Sequence, residues 1–134
     1  MKEKLQELLK NSYSPYYKFP VSAIVEMKDG NTFNGVNVEN ANGTSICAER
    51  NAIASAVSAG YKKGDFKKIY VMLDSGEFGT PCFACRQVIL EFLNLDDEVV
   101  SVRKNGETKS YTIRELCPHP FNAEDLKWNQ DLLV

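Results

Sequence analysis

Three of the four cysteines in this 134-residue chain stand where one zinc ion could collect their sulfurs. Cys47 opens the run Cys47-Ala48-Glu49-Arg50, and Cys82 and Cys85 lie in Pro81-Cys82-Phe83-Ala84-Cys85. Thiolates are ordinary zinc ligands, and three protein ligands leave a fourth position open, the arrangement of catalytic rather than structural zinc. Water held there gives up a proton more easily than in bulk. Glu49 follows Cys47 closely enough to reach the same point and move protons without ligating the metal. Three thiolates against a divalent ion leave excess negative charge, which opposes ionisation of that water. Arg50 is the cation placed to hydrogen-bond the sulfurs and lower their effective charge. The chemistry this set supports is hydrolytic: an activated water attacks an electrophilic carbon, and Glu49 moves its proton.

Other uses of the same residues need different partners. A closed four-cysteine structural zinc would recruit Cys117 and leave Glu49 and Arg50 unexplained. A redox pair at Cys82 and Cys85 would leave Cys47-Ala48-Glu49 unexplained. Cys117, just before Pro118, reads as a packed thiol. His119, the sole histidine, stands between two prolines and reads as a surface or packing residue.

The elements that must position these groups follow from periodicity. Leu5, Leu8 and Leu9 recur at helical spacing, and Ser12-Tyr13-Ser14-Pro15-Tyr16-Tyr17 then ends that helix, with Pro15 setting an irregular aromatic segment. Val21 to Met27 alternates as a strand, Lys28-Asp29-Gly30-Asn31 makes a hairpin turn, and Thr32 to Val38 returns. Cys47 to Ala59 reads as a buried helix with Ile53 and Val57 on one face. Ile69 to Leu73 reads as a central strand covered on both faces. Cys82 to Leu93 places Cys85, Val88, Ile89, Phe92 and Leu93 on one helical stripe. Val99 to Val102 and Thr108 to Thr112 flank a second hairpin signal, Asn105-Gly106. Thr112 and Glu115 fit a capping box for a last helix, and Asn122 is a candidate cap for one more. The sum is one α/β domain over residues 1–134, a three-layer α/β/α arrangement around a five-stranded mixed sheet. In that order Cys47 and Cys82 each open a helix, whose N-terminus carries partial positive charge and favours thiolate over thiol.

Composition limits the partners. The chain is 43 % hydrophobic and 25 % charged, ordinary for a globular domain, with a formal net charge of −2. That charge argues against gripping a nucleic-acid backbone, so no nucleic acid is expected. No apolar run is long enough to span a membrane, so no membrane partner is expected either. The charged N-terminus lacks the features of a signal peptide, which points to the reducing cytoplasm and to cysteines used as ligands.

Cys-x-Glu followed by Pro-Cys-x-x-Cys is similar to the signature of zinc-dependent nucleobase deaminases. From Ser14 onward the chain resembles the small homotetrameric cytidine deaminases over nearly its full length. Ser14-Pro15-Tyr16-Tyr17-Lys18-Phe19-Pro20-Val21 looks like the first motif of that family and implies that Phe19 sits against the pyrimidine; a core aromatic at a strand start is the plainer reading. Asn37-Val38-Glu39-Asn40-Ala41 looks like the ribose motif and implies that Asn37 and Glu39 hydrogen-bond the sugar; a solvated strand edge is the plainer reading. The resemblance further implies that the Ala48 amide holds the base carbonyl. In the closing motif it implies that Phe121 reaches a neighbouring subunit's site, against simple interface burial. Three departures stand out: a shortened 42–46 loop without the usual Tyr after Ala41, Phe83 where the family has Gly, and Ser22 where it has Gly. All three are expected to touch specificity, Phe83 by reshaping the rim of the zinc pocket.

The expected activity is zinc-dependent hydrolysis of cytidine and deoxycytidine to the uridine forms, for pyrimidine salvage, with one zinc ion per chain. The expected assembly is a homotetramer with shared active sites acting on a small-molecule nucleoside. Two alternatives are a deaminase of a related aminopyrimidine such as blasticidin S, and a non-catalytic zinc-stabilised binding module that would not need Glu49.

Overall fold

A computed structural model of the chain describes residues 1–126. The single-domain expectation over 1–134 therefore extends to residues 127–134, which lie outside the described residues. The element order is α1 (Lys2–Leu9), β1 (Val21–Met27), β2 (Thr32–Val36), α2 (Ala48–Ser58), β3 (Phe66–Leu73), α3 (Phe83–Phe92), β4 (Glu98–Val102), β5 (Thr108–Thr112) and α4 (Ile113–Leu116), then a 3-10 turn at Ala123–Leu126.

The sheet runs in the order β2-β1-β3-β4-β5. Only β3 and β4 pair in parallel, and α3 makes the crossover between them; the other pairs are antiparallel. Strand β1 is buried on both sides: Ala23, Val25 and Met27 are buried on one face, and Ser22 and Ile24 on the other. Ala23, Val25 and Met27 face α2, α3 and α4, together with Ile69, Val71 and Val99. Ile24 faces the other way, with Met72, Val100 and Val102, and is covered by Leu5 and Leu9 of α1. Burying a leucine side chain is worth about 1.5–3 kcal/mol, so this pair suffices to dock a short helix. The result is a three-layer α/β/α fold.

Several boundaries differ from the sequence reading. Strand β2 stops at Val36, and Val38 instead makes isolated bridges to Tyr13 and Ile46. The chain has left the sheet to line a cavity there. Strand β3 begins at Phe66, ahead of its apolar run, because Phe66 is buried against Phe92 while lysines interrupt the pattern. Val57 does not share the buried face with Ile53: it is 42 % exposed, and α2 packs through Ala48, Ala52, Ile53 and Ala56. Small residues are required there, because α2 rides directly over Gly35. A Cβ on Gly35 would collide with the Ala48 carbonyl and the Ala52 amide. The capping box at Thr112 and Glu115 forms as expected. The Asn122 side chain accepts from the Glu124 amide at 3.0 Å and caps the 3-10 turn.

Ser22 is corrected as a specificity position. It is buried in the sheet, away from the cavity, and its hydroxyl donates to the Leu5 carbonyl at 2.8 Å, tying α1 to β1.

Candidate active site

Cys47 and Cys82 are the N-caps of α2 and α3, both in extended conformation. Neither spends its side chain on a capping bond, so both sulfurs are available for another partner. The leading N–H groups of each helix have no intrahelical acceptor and bring partial positive charge to these ends. Cys85 lies in the first turn of α3 and is fully buried. The Cys47 and Cys82 sulfurs are 3.7 Å apart, those of Cys82 and Cys85 3.3 Å, and all three lie within 4.8 Å of one another. Tetrahedral zinc with bonds of about 2.3 Å needs sulfurs roughly 3.8 Å apart, so the donor set fits that ion. Among the described residues no other group of three His, Cys, Asp or Glu side chains converges in this way. Cys117 is outside the cluster, with its sulfur 3.9 Å from the Arg86 carbonyl.

The protonation of the trio follows its burial. Desolvation pushes the Cys85 thiol far up, and the negative charge of Glu49 adds to it. Burial also pushes Cys82 up, but hydrogen bonds from the Cys85 amide and thiol and from Cys47 outweigh it, leaving Cys82 below the ordinary thiol value. A divalent cation overrides both effects, because coordinating thiols are deprotonated outright. Arg50 Nη2 lies 3.5 Å from the Cys47 sulfur and 3.2 Å from the Ser45 carbonyl. The bond to Cys47 raises the guanidinium further above its ordinary value, so it stays charged beside the sulfurs. Glu49 is 5 % exposed, and burial raises its carboxyl pKa against the opposing pull of its own backbone amide and Arg50.

These groups border a cavity of about 500 Å³. Of the residues expected from sequence, Phe19, Asn37, Glu39, Cys47, Ala48, Glu49 and Cys82 all line it. Phe19 is 45 % exposed, so it is not the core aromatic of the plainer reading. Asn37 and Glu39 are not a solvated edge either. Asn37 Oδ1 accepts from the Ser12 hydroxyl at 2.5 Å and the Val21 amide at 2.9 Å, while Nδ2 donates to the Phe19 carbonyl at 2.8 Å. Glu39 is buried, and its Oε1 accepts from the Tyr16 and Tyr17 amides at 2.9 and 3.2 Å. Both side chains therefore clamp the 12–21 segment that presents Tyr17 and Phe19 to the cavity.

Phe121 is not brought to the cavity of its own chain. It is 59 % exposed, and its carbonyl accepts from Gln87 Nε2 at 2.7 Å. Phe83 is 79 % exposed and does not line the cavity; its ring stacks under the Arg86 guanidinium at 4.5 Å. The short 42–46 loop is held by Asn40, whose Oδ1 accepts from the Asn42 and Thr44 amides, and it delivers Ser45 and Ile46 to the cavity. Sequence reasoning missed Tyr17, Val21, Val71, Leu73 and Thr80 as lining residues. Val71 and Leu73 were hidden in an apolar run that reads only as core. Thr80 had a signal in its place two residues before Cys82.

Residues 1–112 match the family model described as the cytidine and deoxycytidylate deaminase zinc-binding region, a span that holds all three clustered cysteines and Glu49. The cytidine deaminase of Sporosarcina psychrophila is 41 % identical over 118 residues, covering 87 % of this chain and 85 % of the relative. The crystal structure of cytidine deaminase from Burkholderia pseudomallei is 38 % identical, with a TM-score of 0.84 over 89 % of this chain and 94 % of that one. A blasticidin-S deaminase from Bacillus cereus is 34 % identical over 110 residues, 75 % of this chain and 76 % of the relative.

Proposed function

The chain belongs to the cytidine and deoxycytidylate deaminase zinc-binding family, and from that premise we propose that it hydrolyses cytidine and deoxycytidine to uridine and deoxyuridine, releasing ammonia, in pyrimidine salvage. The observation that carries this reading is the meeting of three cysteine sulfurs and a buried carboxyl beside one cavity of nucleoside size.

Held by Cys47, Cys82 and Cys85, one zinc ion per chain supplies the positive charge that activates water for attack. Glu49 takes one proton of the attacking water and delivers it to the ring nitrogen beside the amine-bearing carbon, then moves the proton of the hydroxyl newly formed on that carbon to the amine, which leaves as ammonia as the carbonyl forms. A carboxyl whose pKa is raised by burial suits a group that must hold a proton as well as accept one. The Ala48 amide, at the first helical position of α2, lacks an intrahelical acceptor and donates to the base carbonyl. Phe19 packs against the pyrimidine. Asn37 retains one Nδ2 hydrogen and Glu39 its Oε2 for the sugar hydroxyl, once their bonds to the 12–21 segment are counted. Arg50 offsets the charge of the thiolates. Val71 and Leu73 line the cavity with apolar surface, which excludes water and strengthens each polar contact.

The same reading takes residues 1–134 as one domain of a cytoplasmic homotetramer in which Phe121 of one subunit completes a neighbour's cavity. Exposure of Phe121, Tyr17 and Phe19 in the single chain supports shared sites. The formal net charge of −2 supports a free nucleoside over a nucleic acid. Among the described residues no helix is long and apolar enough to cross a membrane.

The test is ammonia release from cytidine, deoxycytidine, cytosine and blasticidin S by the purified zinc-loaded protein. Turnover of the two nucleosides, with cytosine inert for lack of the sugar, is expected. Turnover of blasticidin S alone, or zinc binding with no turnover at all, would overturn the reading in favour of the related deaminase or of a non-catalytic module.

A further inference from the structure

Arg86, one residue beyond Cys85, sends two nitrogens of its guanidinium fork to the segment that leads into Cys82 and the third to the end of α4. Nε donates to the Pro81 carbonyl at 2.8 Å, Nη2 to the Thr80 hydroxyl at 3.0 Å, and Nη1 to the Leu116 carbonyl at 2.9 Å at the end of α4. Among the described residues the main chain of Thr80 and Pro81 makes no backbone–backbone hydrogen bond. The sheet holds the loop at Gly79, whose amide donates to the Ser101 hydroxyl of β4 at 2.9 Å; Thr80 and Pro81 lie beyond that bond, and Pro81 has no N–H to offer. Thr80 lines the cavity, and Cys82 follows as the N-cap of α3. The outer face of the guanidinium is covered by Phe83. Gln87, the next residue, holds the Phe121 carbonyl.

We propose that Arg86 is a positioning residue, a planar splint that sets the Cys82 sulfur and the Thr80 wall of the cavity and ties both to the end of α4. The proposal rests on the reading that Cys82 is a zinc ligand. Its geometry calls for an arginine: three acceptors in three directions need a rigid fork, which the point charge of lysine does not supply. The departure at position 83 gains a reason, since an aromatic ring there caps the splint instead of shaping the cavity.

The test compares wild type, Arg86→Ala, Arg86→Gln and Arg86→Lys as zinc-loaded proteins. Zinc release to a chromogenic chelator is the main readout, with the thiolate-to-metal absorption bands of the cobalt-substituted forms and KM and kcat for cytidine measured beside it. Partners that orient a metal ligand typically change metal affinity or activity by about 10–100-fold. Release from Arg86→Ala should therefore be at least about tenfold faster, with altered cobalt bands, a raised KM and Arg86→Lys intermediate. Arg103→Ala serves as comparator, because Arg103 holds the Gly76 carbonyl at the far end of the same loop at 2.9 Å and should leave zinc release unchanged. If Arg86→Ala does not fold, Arg86→Lys and Arg86→Gln decide the matter. Wild-type release and cobalt bands in a folded Arg86 variant would overturn the proposal while leaving the zinc site standing. A wild-type protein that holds no zinc would overturn the zinc site and the proposal together.

Discussion

At the scale of single residues, the cluster of Cys47, Cys82 and Cys85 was legible because its chemistry is local: the three thiols, with Glu49 beside the first, announce themselves by type and spacing. What Asn37 and Glu39 do inside the chain was not legible. Their partners are the Ser12 hydroxyl and main-chain groups, 16 to 25 positions away, and no local pattern encodes them. Phe83 misled for a related reason, since its contact is an arginine one turn along α3 rather than a ligand. The double duty of Asn37 gives a prediction. Asn37→Ala removes three hydrogen bonds that clamp the 12–21 segment, each worth about 1 kcal/mol net. Stability should fall by roughly 1–3 kcal/mol in denaturant unfolding, and KM for cytidine should rise in the same variant. A raised KM with unchanged stability would mean that Asn37 serves only the ligand.

At the scale of elements, order and type were readable because apolar periodicity is strong in β1, α2 and α3. The ends were not, because they are decided by neighbours. Strand β2 stops where Val38 turns to bridge Tyr13 and Ile46, and β3 starts early because Phe66 has Phe92 to pack against. The position of α2 is set by Gly35, which no helix pattern could reveal. Gly35→Ala would push a methyl group into the α2 backbone beside Ala48 and Ala52. Overpacking of this kind costs about 1–3 kcal/mol, and here the element that must shift carries Cys47 and Glu49. The variant should unfold at a lower temperature and also lose zinc faster. A destabilised variant with wild-type zinc release and kcat would show that the α2 position is not what aligns the site.

At the scale of the whole molecule, the α/β/α layering followed from the sequence of elements, whereas assembly is invisible to periodicity within one chain. The proposed tetramer makes a definite expectation for Phe121. Phe121→Ala removes packing surface and no ligand, so KM should rise strongly with bound zinc unchanged. A fully active monomer, sized by light scattering at assay concentration, would contradict the shared site. Zinc ties stability to function as well: an ion that binds only the folded chain raises its stability by mass action. Chelation should therefore lower the melting temperature and abolish turnover together, and added zinc should restore both. The central claim is that Cys47, Cys82 and Cys85 hold a catalytic zinc whose water Glu49 serves. Its most direct test measures cytidine turnover and bound zinc in the same samples of wild type and Glu49→Gln. The account predicts about one zinc per chain in both, with turnover at least roughly a hundredfold slower in the variant. A zinc-loaded Glu49→Gln protein that turns over cytidine at nearly the wild-type rate would contradict it.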